Sequence, residues 1–364
     1  MHSERMPGEI EYRLATLEDA PRMVAFHNSY YGAARTLKHW IWQYDTYDSS
    51  RTVFTFAEYR GGLIATQGVS PIEIEIGGKP VLSGKCENTL CLPAYRGTGI
   101  MEGLFKYAVE NCVARGMRCI WAFTDAVKAY QKFGFAWYPD IEILIRPGNV
   151  WIGIALRMRG KPLLRGIASA IKYVLRFICQ RRGRVAFKTE RLETYQVKRN
   201  RTPDKDLREL CERLDSKCGN VIRLKYDETY LSWRVREHPL LEYQEYQVYQ
   251  GDNLLSCAFI VLTRGVLYIS DILSRDTHGT RILIHAILND YRTRAGEFRC
   301  LVNTKDPLAQ DAIAQLRQCG FSSDKKTSKT WNFMVRDLKG DEDDKMLDIS
   351  NWHLTDLWTE GFEH

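Results

Sequence analysis

The feature that most limits the fold of this sequence is a long internal repeat. Its markers are a tryptophan, a glycine 18 or 19 residues later, the strand pattern that follows this glycine, and a Gly-Phe pair. They are, in the first copy and then the second, Trp42, Gly61 and Gly134-Phe135, and Trp233, Gly251 and Gly320-Phe321. A repeated set of markers indicates a duplicated folding unit. Since the 364 residues are enough for two or three domains, we expect two similar domains in tandem.

Each copy has the element pattern of an α/β (α+β) fold. In the first copy, alternating residues and glycine turns predict an antiparallel meander, and a helix, a strand and a second helix follow it. The predicted first-copy segments are strands over 52–58, 63–69, 72–76 and 81–92, a helix over 101–114, a strand over 118–123 and a helix ending at Lys132. The second-copy segments are a strand over 267–274, a helix over 282–293 and a strand over 299–304. We therefore expect two mostly antiparallel mixed sheets flanked by helices.

The turn over 93–101 carries the clearest chemical signal. It joins a strand to a helix and contains Gly97 and Gly99. Glycines let the backbone approach a ligand closely, and the free amides and dipole of a helix N-terminus favour an anion. The spacing matches neither a P-loop nor a dinucleotide fingerprint. The turn therefore predicts a site for a pyrophosphate.

Two motifs in the first copy resemble the GNAT acetyltransferase superfamily. Arg96-x-x-Gly99-x-Met101 is similar to the R/Q-x-x-G-x-G/A signature for coenzyme A, with Met101 departing at the last, small position. Tyr130, followed by Gly134-Phe135, is similar to the family's Y-x-x-x-G-F. The resemblance covers about residues 10–145 and includes the helix and strand between the motifs. It implies a GNAT fold that uses acetyl-CoA as co-substrate.

The resemblance also implies roles for individual residues. The backbone of the strand end and the turn would bind the coenzyme through Leu90, Cys91, Leu92, Arg96, Gly97, Thr98, Gly99, Ile100 and Met101. An amine would attack the thioester directly, and Tyr130 would protonate the departing thiolate. Glu87 or Asp125 would be the base; the spacing selects neither, and we favour Glu87.

The second copy departs from the coenzyme motif. Its turn, Thr277–Arg281, has one glycine and no leading arginine, and Leu316 stands at the position of the acid. We expect this copy to have lost coenzyme binding and to serve as a structural partner, or to hold the acceptor. The phrase Tyr230–Arg234 followed by His238-Pro239 is similar to tandem GNAT-like proteins of bacterial surface-polysaccharide pathways, which implies an amino-sugar acceptor.

A basic segment separates the two copies. Between Glu142 and Glu190 there is no acidic residue and there are eleven basic ones: Arg146, Arg157, Arg159, Lys161, Arg165, Lys172, Arg176, Arg181, Arg182, Arg184 and Lys188. Apolar residues from Leu163 to Ile178 recur at helical spacing, which predicts a basic amphipathic helix. A linker helix is the first interpretation, peripheral contact of 157–188 with an anionic membrane is the second, and binding of nucleic acid or coenzyme phosphates is the least favoured. The predicted boundaries are 1–146, 147–190, 191–338 and 339–364.

Other chemistries find little support in the sequence. No run approaches the roughly 20 apolar residues that span a bilayer, and the charged N-terminus lacks the apolar core of a signal peptide, so we expect a cytoplasmic protein. The ten cysteines form no C-x-x-C pair, which indicates neither a metal site nor a disulfide framework. The acidic run 341–344 predicts a surface loop, and the tail with Trp352, His353 and Trp358 predicts a packed extension.

Three functions remain open on this basis. The first is an acetyl-CoA-dependent N-acetyltransferase that acts on a small primary amine. The second is a non-catalytic GNAT-like protein that binds a membrane or a partner. The third is a transferase that uses a long-chain acyl-CoA or an aminoacyl-tRNA, although users of aminoacyl-tRNA in this superfamily generally lack an intact coenzyme turn.

Overall fold

The computed structural model describes residues 10–32, 35–159, 161–182, 194–324, 332–340 and 344–359. Its elements follow the chain in two similar series joined by a helical hairpin. The first series is β1 Glu11–Leu14, α1 Ala20–Tyr31, α2 Leu37–Ile41, β2 Val53–Tyr59, β3 Gly62–Ile76, β4 Lys79–Cys91, α3 Ile100–Ala114, β5 Cys119–Thr124, α4 Val127–Lys132, β6 Ala136–Tyr138 and β7 Ile141–Pro147. The hairpin is α5 Val150–Met158 and α6 Leu163–Arg182. The second series is β8 Tyr195–Lys198, α7 Asp204–Cys218, β9 Ile222–Leu224, α8 Glu228–Leu231, β10 Tyr243–Gln250, β11 Asn253–Thr263, β12 Val266–Ser274, α9 Thr277–Asp290, β13 Glu297–Asn303, α10 Ala309–Gln318, β14 Ser322–Ser323 and β15 Asn332–Asp337.

The chain divides into two compact units, and each combines separate stretches of sequence. Unit 1 contains the chain through residue 75, then 79–138 and 332–347. Unit 2 contains 76–78, 139–331 and the chain from residue 348. Most of unit 1 is the first copy of the repeat, and most of unit 2 is the second.

The sheet of unit 1 is completed by a strand from the C-terminal part of the chain. Its order is β1-β2-β3-β4-β5-β15-β6. β4 and β5 run parallel, whereas β15 is antiparallel to both β5 and β6. In this register Met334 lies opposite Ala122, and both side chains are buried in the same apolar cluster. The strand Asn332–Asp337 therefore belongs to the core of unit 1.

The sheet of unit 2 repeats this order with a strand from the first series. Its order is β14-β7-β13-β12-β11-β10-β8, with β12 and β13 parallel. β7 is antiparallel to β13 and β14, which is the place that β15 takes in unit 1. The two copies have thus exchanged equivalent strands. The contiguous boundaries predicted above do not anticipate this exchange.

α3 lies against the sheet of unit 1 and positions the glycine turn. Ile100, Leu104, Phe105, Ala108 and Cys112 are its buried residues, a spacing that places them on one helical face. On another side of the helix Gly103 admits the ring of Tyr12, because a Cβ there would overlap the ring. Burial of this face sets the N-terminus of α3 beside the end of β4.

A short helix that widens into a π-helical turn recurs in both units. In unit 1, α2 leads into the π-helical turn Trp42–Thr46, and in unit 2, α8 leads into Ser232–Arg236. Trp42 and Trp233 are buried in these turns. The tryptophan markers of the repeat therefore mark a shared local structure, which supports the duplication.

Several predicted segments differ in detail from the structure. The predicted strands 63–69 and 72–76 form the single strand β3, which continues through Ser70 and Pro71. The amphipathic helix predicted around Leu163 to Ile178 is confirmed as α6, and residues 183–188 of the basic segment lie outside the described residues. The tail is packed as predicted, with Trp352 and Trp358 fully buried, whereas residues 341–343 of the acidic run lie outside the described residues.

Candidate active site

The end of β4 diverges from its parallel neighbour. β4 and β5 are paired only where Ser83–Lys85 lie beside Cys119–Trp121, although β4 continues to Cys91. The unpaired part of β4 leaves a gap in the sheet that opens toward the glycine turn.

A bulge in β4 turns consecutive side chains to the same face. Asn88 has a φ of 51°, a left-handed conformation that asparagine tolerates better than most residues. Gln43 bonds both Glu87 and Asn88, whereas a regular strand would send neighbouring side chains to opposite faces. Thr89 then points to the other face, where it meets Tyr130. The bulge thus places Thr89 and Tyr130 on one face of β4 and the Glu87 carboxylate on the other.

Tyr130 lies with its ring buried and its hydroxyl at the gap. Its oxygen is 2.8 Å from Thr89 Oγ1, and Thr89 also donates to Gln67 Oε1 at 2.7 Å. The ring makes edge contacts with Phe105 and Phe135, with centroids 5.9 and 4.9 Å apart. Since Tyr130 is only 4% exposed, its hydroxyl has one fixed position.

A buried polar cluster occupies the other face of β4. Glu87 pairs with Lys85 and accepts from Gln43, and Asn88 accepts from Arg35 at 2.5 Å. Buried ionic groups of this kind are tolerated only when they are paired and hydrogen-bonded. The cluster therefore presents a carboxylate, two amides and two cations at the edge of the gap.

The backbone at the end of β4 divides its groups between two sides. The Leu92 N–H donates to Ile64 O at 3.0 Å, so this amide is committed to β3. The Cys91 carbonyl accepts from Arg96 Nε at 3.0 Å, which places the peptide groups of Cys91 on the opposite side, because they alternate along a strand. The Leu92 amide is therefore engaged within the sheet, whereas the peptide groups of Cys91 face away from β3.

The glycine turn is exposed and open. Gly97 and Gly99 have φ angles of 76° and 86°, and a Cβ built on either residue would have no atom within 4 Å. Gly99 is the N-cap of α3, and the first amides of a helix have no acceptor within the helix. Since glycine offers no capping side chain, these amides face the open turn.

Two flanking residues leave this turn accessible. Met101, the departure from the family signature, is half-buried and packs against both apolar clusters below α3. It therefore does not fill the turn. Arg96 donates to the Tyr30 hydroxyl at 2.6 Å, which holds its guanidinium between the strand end and α1.

The remaining candidates are less well placed. Asp125 is exposed in the turn between β5 and α4. Burial raises the pKa of the Cys86 and Cys91 thiols, in Cys91 against a lowering by Arg96, so both stay protonated at neutral pH. Within the part of the chain that the structure describes, no three His, Cys, Asp or Glu side chains come together as a metal site.

The corresponding turn of unit 2 is closed by its own carboxylate. Asp276 is the N-cap of α9 and accepts from the Gly279 N–H at 2.7 Å. Gly279 is buried, and a Cβ there would lie 3.0 Å from Ser256 Oγ. Leu316, at the position of Tyr130, is fully buried. This turn offers neither room nor an acid.

The C-terminal segment fills the space beside β12 in unit 2. His353 bonds Asp306 at 2.6 Å and Asp271, on β12, at 3.1 Å. The two aspartates raise the pKa of His353 to about 10, although burial opposes this shift. Arg234 donates to the carbonyls of Leu357 and Thr359, the latter at 3.0 Å. The segment is thus held by charged groups inside unit 2.

Sequence reasoning missed the polar cluster in unit 1. Gln43, Asn88 and Arg35 come from separate elements, and the bulge that gathers them is a backbone conformation. One signal was present, since Gln43 follows Trp42 as Arg234 follows Trp233. The repeat therefore pointed to this position without revealing its chemistry.

Comparison with known proteins agrees with these features. A family model for the acetyltransferase (GNAT) domain matches residues 11–138, whereas no curated protein matches the sequence. A probable N-acyltransferase from Enterococcus faecalis V583 is 9% identical, with a TM-score of 0.61 over 91% of this chain and 73% of that one.

Two further solved structures are similar. A GCN5-related N-acetyltransferase from Kribbella flavida is 13% identical, with a TM-score of 0.59 over 91% of this chain and 71% of that one. A tandem GNAT protein from the clavulanic acid biosynthesis pathway is 12% identical, with a TM-score of 0.53 over 92% of this chain and 100% of that one. At this identity the likeness concerns the fold. Residues 11–138 therefore match a GNAT acetyltransferase domain, and the chain has the fold of a tandem GNAT protein.

Proposed function

We propose that unit 1 is an acetyl-CoA-dependent N-acetyltransferase that passes the acyl group directly to a primary amine of a small molecule. The observation that carries this proposal is the open turn at Gly97 and Gly99, with the Tyr130 hydroxyl held at the neighbouring gap. Unit 2 has neither feature, so we assign it a structural role.

The turn fits the pyrophosphate of coenzyme A. Gly97 and Gly99 leave room for close approach of phosphate oxygens, and the N-terminal amides and dipole of α3 favour negative charge. Arg96 adds a cation beside the turn. Met101 does not oppose this fit, since it packs into the core.

The gap in the sheet would receive the pantetheine arm and the thioester. The thioester supplies an activated acyl group, and the Cys91 amide is placed to donate to its carbonyl oxygen. Tyr130 Oη is the proton donor for the departing sulfur, and its bond to Thr89 keeps the hydroxyl at the gap. A general acid of this kind contributes about 10²–10⁴-fold to a rate.

For the base we propose Glu87 over Asp125. Glu87 is held at the edge of the gap by Lys85 and Gln43, whereas Asp125 is exposed. The amine would approach across the polar cluster, where amide and carboxylate groups suit a hydroxyl-rich acceptor such as an amino sugar. A place in surface-polysaccharide biosynthesis rests only on the resemblance around Tyr230–Arg234.

The experiment is thermal unfolding with acetyl-CoA, free coenzyme A and a long-chain acyl-CoA. A ligand at 100 times its Kd adds about 2.7 kcal/mol of stability, and we expect this shift with acetyl-CoA. Gly99→Glu should remove the shift, because a carboxylate would face the pyrophosphate. Gly251→Glu is the matched control, since Gly251 also has a positive φ and open surroundings.

The outcomes separate the alternatives. An unchanged acetyl-CoA shift in Gly99→Glu would contradict the placement of the site. Stabilisation by the long-chain acyl-CoA alone would indicate that the protein transfers a long acyl chain. No stabilisation by any donor would favour a non-catalytic binding protein. A positive result leads to an acceptor screen with amino sugars and other amines.

A further inference from the structure

The α5–α6 hairpin is fixed to the body of unit 2. Tyr173 of α6 packs on Gly153 of α5, where a Cβ would overlap its ring, and its hydroxyl donates to the Gly296 carbonyl. Arg157 covers the same ring at 5.2 Å and pairs with Glu297. The helix restarts after Pro162, which lacks an N–H. The hairpin is therefore an ordered part of unit 2, with one face packed inward.

Another face of the hairpin is apolar and exposed. Its exposed residues on α6 are Leu163, Leu164, Ile167, Ile171, Leu175 and Ile178. They follow a helical spacing that places them in one stripe. Leu164 is 82% exposed, so its side chain is not part of the core of unit 2. A contiguous apolar surface of this kind marks an interaction site in a soluble protein.

α5 extends this apolar surface. A shallow groove of about 400 Å³ between the helices is lined by Ile154, Met158, Ile167, Ala170, Ile171, Val174 and Leu175. Trp151 lies one turn before Ile154 on the same helical face and is 77% exposed. Tryptophan, with its apolar ring and its N–H donor, is favoured at the boundary between lipid and water.

The charges around this surface have one sign. Arg159 and Lys161 are exposed between the two helices, and Arg165 and Lys172 are exposed on α6, seven residues apart and therefore on one helical side. The sequence has no acidic residue between Glu142 and Glu190. An isologous contact between two copies would bring these cations together, whereas an anionic surface would neutralise them.

We propose that the α5–α6 hairpin docks on an anionic phospholipid bilayer. The apolar stripe and Trp151 would lie at the boundary of headgroups and acyl chains, with the four exposed cations at the phosphates. The helix would lie in the plane of the interface, about 30 Å long for 20 residues. Among the described residues, no helix is long and apolar enough to cross a membrane. The proposal does not depend on the catalytic activity.

The test is sedimentation of the full chain with vesicles of phosphatidylcholine alone or mixed with phosphatidylglycerol. We expect binding to the mixed vesicles that weakens at high salt. Leu164→Glu with Ile171→Glu should abolish it. Arg165→Glu with Lys172→Glu should weaken it about thirtyfold or more, since each cation near an anionic surface contributes about fivefold. The controls are Leu240→Glu and Arg292→Glu, exposed positions outside the hairpin, which should bind as the unchanged protein does.

A second measurement avoids charge reversal. Brominated lipids in the mixed vesicles should quench part of the tryptophan fluorescence, and Trp151→Phe should remove the quenched part. Absence of binding to the mixed vesicles would overturn the proposal. So would equal binding by the variants and the controls, or a concentration-dependent dimer that Leu164→Glu with Ile171→Glu converts to a monomer, which would assign the surface to a second copy.

Discussion

In unit 1, α3 begins at an open glycine turn, whereas in unit 2, α9 begins at Asp276, whose carboxylate binds the Gly279 amide. A helix N-terminus favours an anion in either case. Unit 2 supplies this anion from its own sequence, and unit 1 leaves the place to a ligand. The same strand, turn and helix are thus compatible with binding or with internal closure.

The surroundings of β4 and β12 differ in a similar way. Gln43, in the π-helical turn of unit 1, bonds Glu87 beside the gap. Arg234, at the matching position of unit 2, holds the carbonyls of the C-terminal segment, and Asp271 on β12 binds His353. A segment of the chain therefore occupies in unit 2 the kind of space that we assign to the acceptor in unit 1. In unit 2, the space that corresponds to the proposed acceptor site is filled by the chain itself, which leaves no room there for a ligand.

The largest effect should come from the histidine that secures this segment. His353→Gln would leave Asp271 and Asp306 buried without their cation, and breaking a buried pair costs about 3–5 kcal/mol. The His353 pKa rises from an ordinary 6.5 to about 10 on folding. Its contribution is therefore complete below about pH 6.5 and is lost as the pH rises toward 10. Calorimetry at pH 6 and pH 9 measures this loss.

The control for this pH dependence is His278→Gln, which changes a half-exposed histidine. It should keep the slope of the unchanged protein between the two pH values, whereas His353→Gln should flatten it. Equal stability of the unchanged protein at pH 6 and pH 9 would mean that His353 is not held as a cation.

The next effect concerns Tyr130, which we propose as the acid of unit 1. Tyr130→Phe should lower kcat about 10²-fold, or about 2.7 kcal/mol, with the acetyl-CoA shift unchanged, because the phenyl ring keeps its contacts with Phe105 and Phe135. Steady-state kinetics and thermal unfolding measure the two quantities. Leu316→Met is the matched change in unit 2 and should leave kcat unaltered. Full activity of Tyr130→Phe would remove Tyr130 from this role.

An effect of similar size is expected at the carboxylate of the polar cluster. Glu87→Gln should lower kcat about 10²-fold and remove the acidic limb of the pH profile of kcat/KM, which a merely structural residue would leave in place. Asp125→Asn is the comparison, because Asp125 is exposed. Loss of the limb in Asp125→Asn alone would transfer the role of base to that residue.

The smallest effect should follow removal of the carboxylate that closes the second turn. Asp276→Ala removes the cap of α9 and should destabilise unit 2 by about 1 kcal/mol. It should not create a second coenzyme site, because Gly279 stays close to Ser256. Asp227→Ala, which removes the cap of α8, is the control for stability. If acetyl-CoA stabilised the double variant Gly99→Glu with Asp276→Ala against thermal unfolding, the turn of unit 2 would be able to bind the coenzyme, which would contradict the difference drawn between the two turns.

The parts of this molecule that sequence reasoning predicted are local. The glycine turn and Tyr130 lie in short motifs, and the repeat indicated the duplicated fold. Apart from Glu87, the polar cluster was not predicted, since it depends on a left-handed Asn88 and on side chains from distant elements. The exchange of β7 and β15 was not predicted either. Alternation of apolar and polar residues along a strand shows which side chains share a face, but it does not show which strands are its neighbours in the sheet.

The exchange of strands also bears on how the chain is made. The sheet of unit 1 needs β15 between β5 and β6, and about 200 residues separate β6 from the end of β15. At about 5–20 residues per second, a ribosome takes about 10–40 s to cover this distance. During this time β5 has an open edge, which is prone to pair with other chains. The copy that carries the candidate active site is thus synthesised before the second copy, yet its sheet closes only after the strands and helices of the second copy have been synthesised.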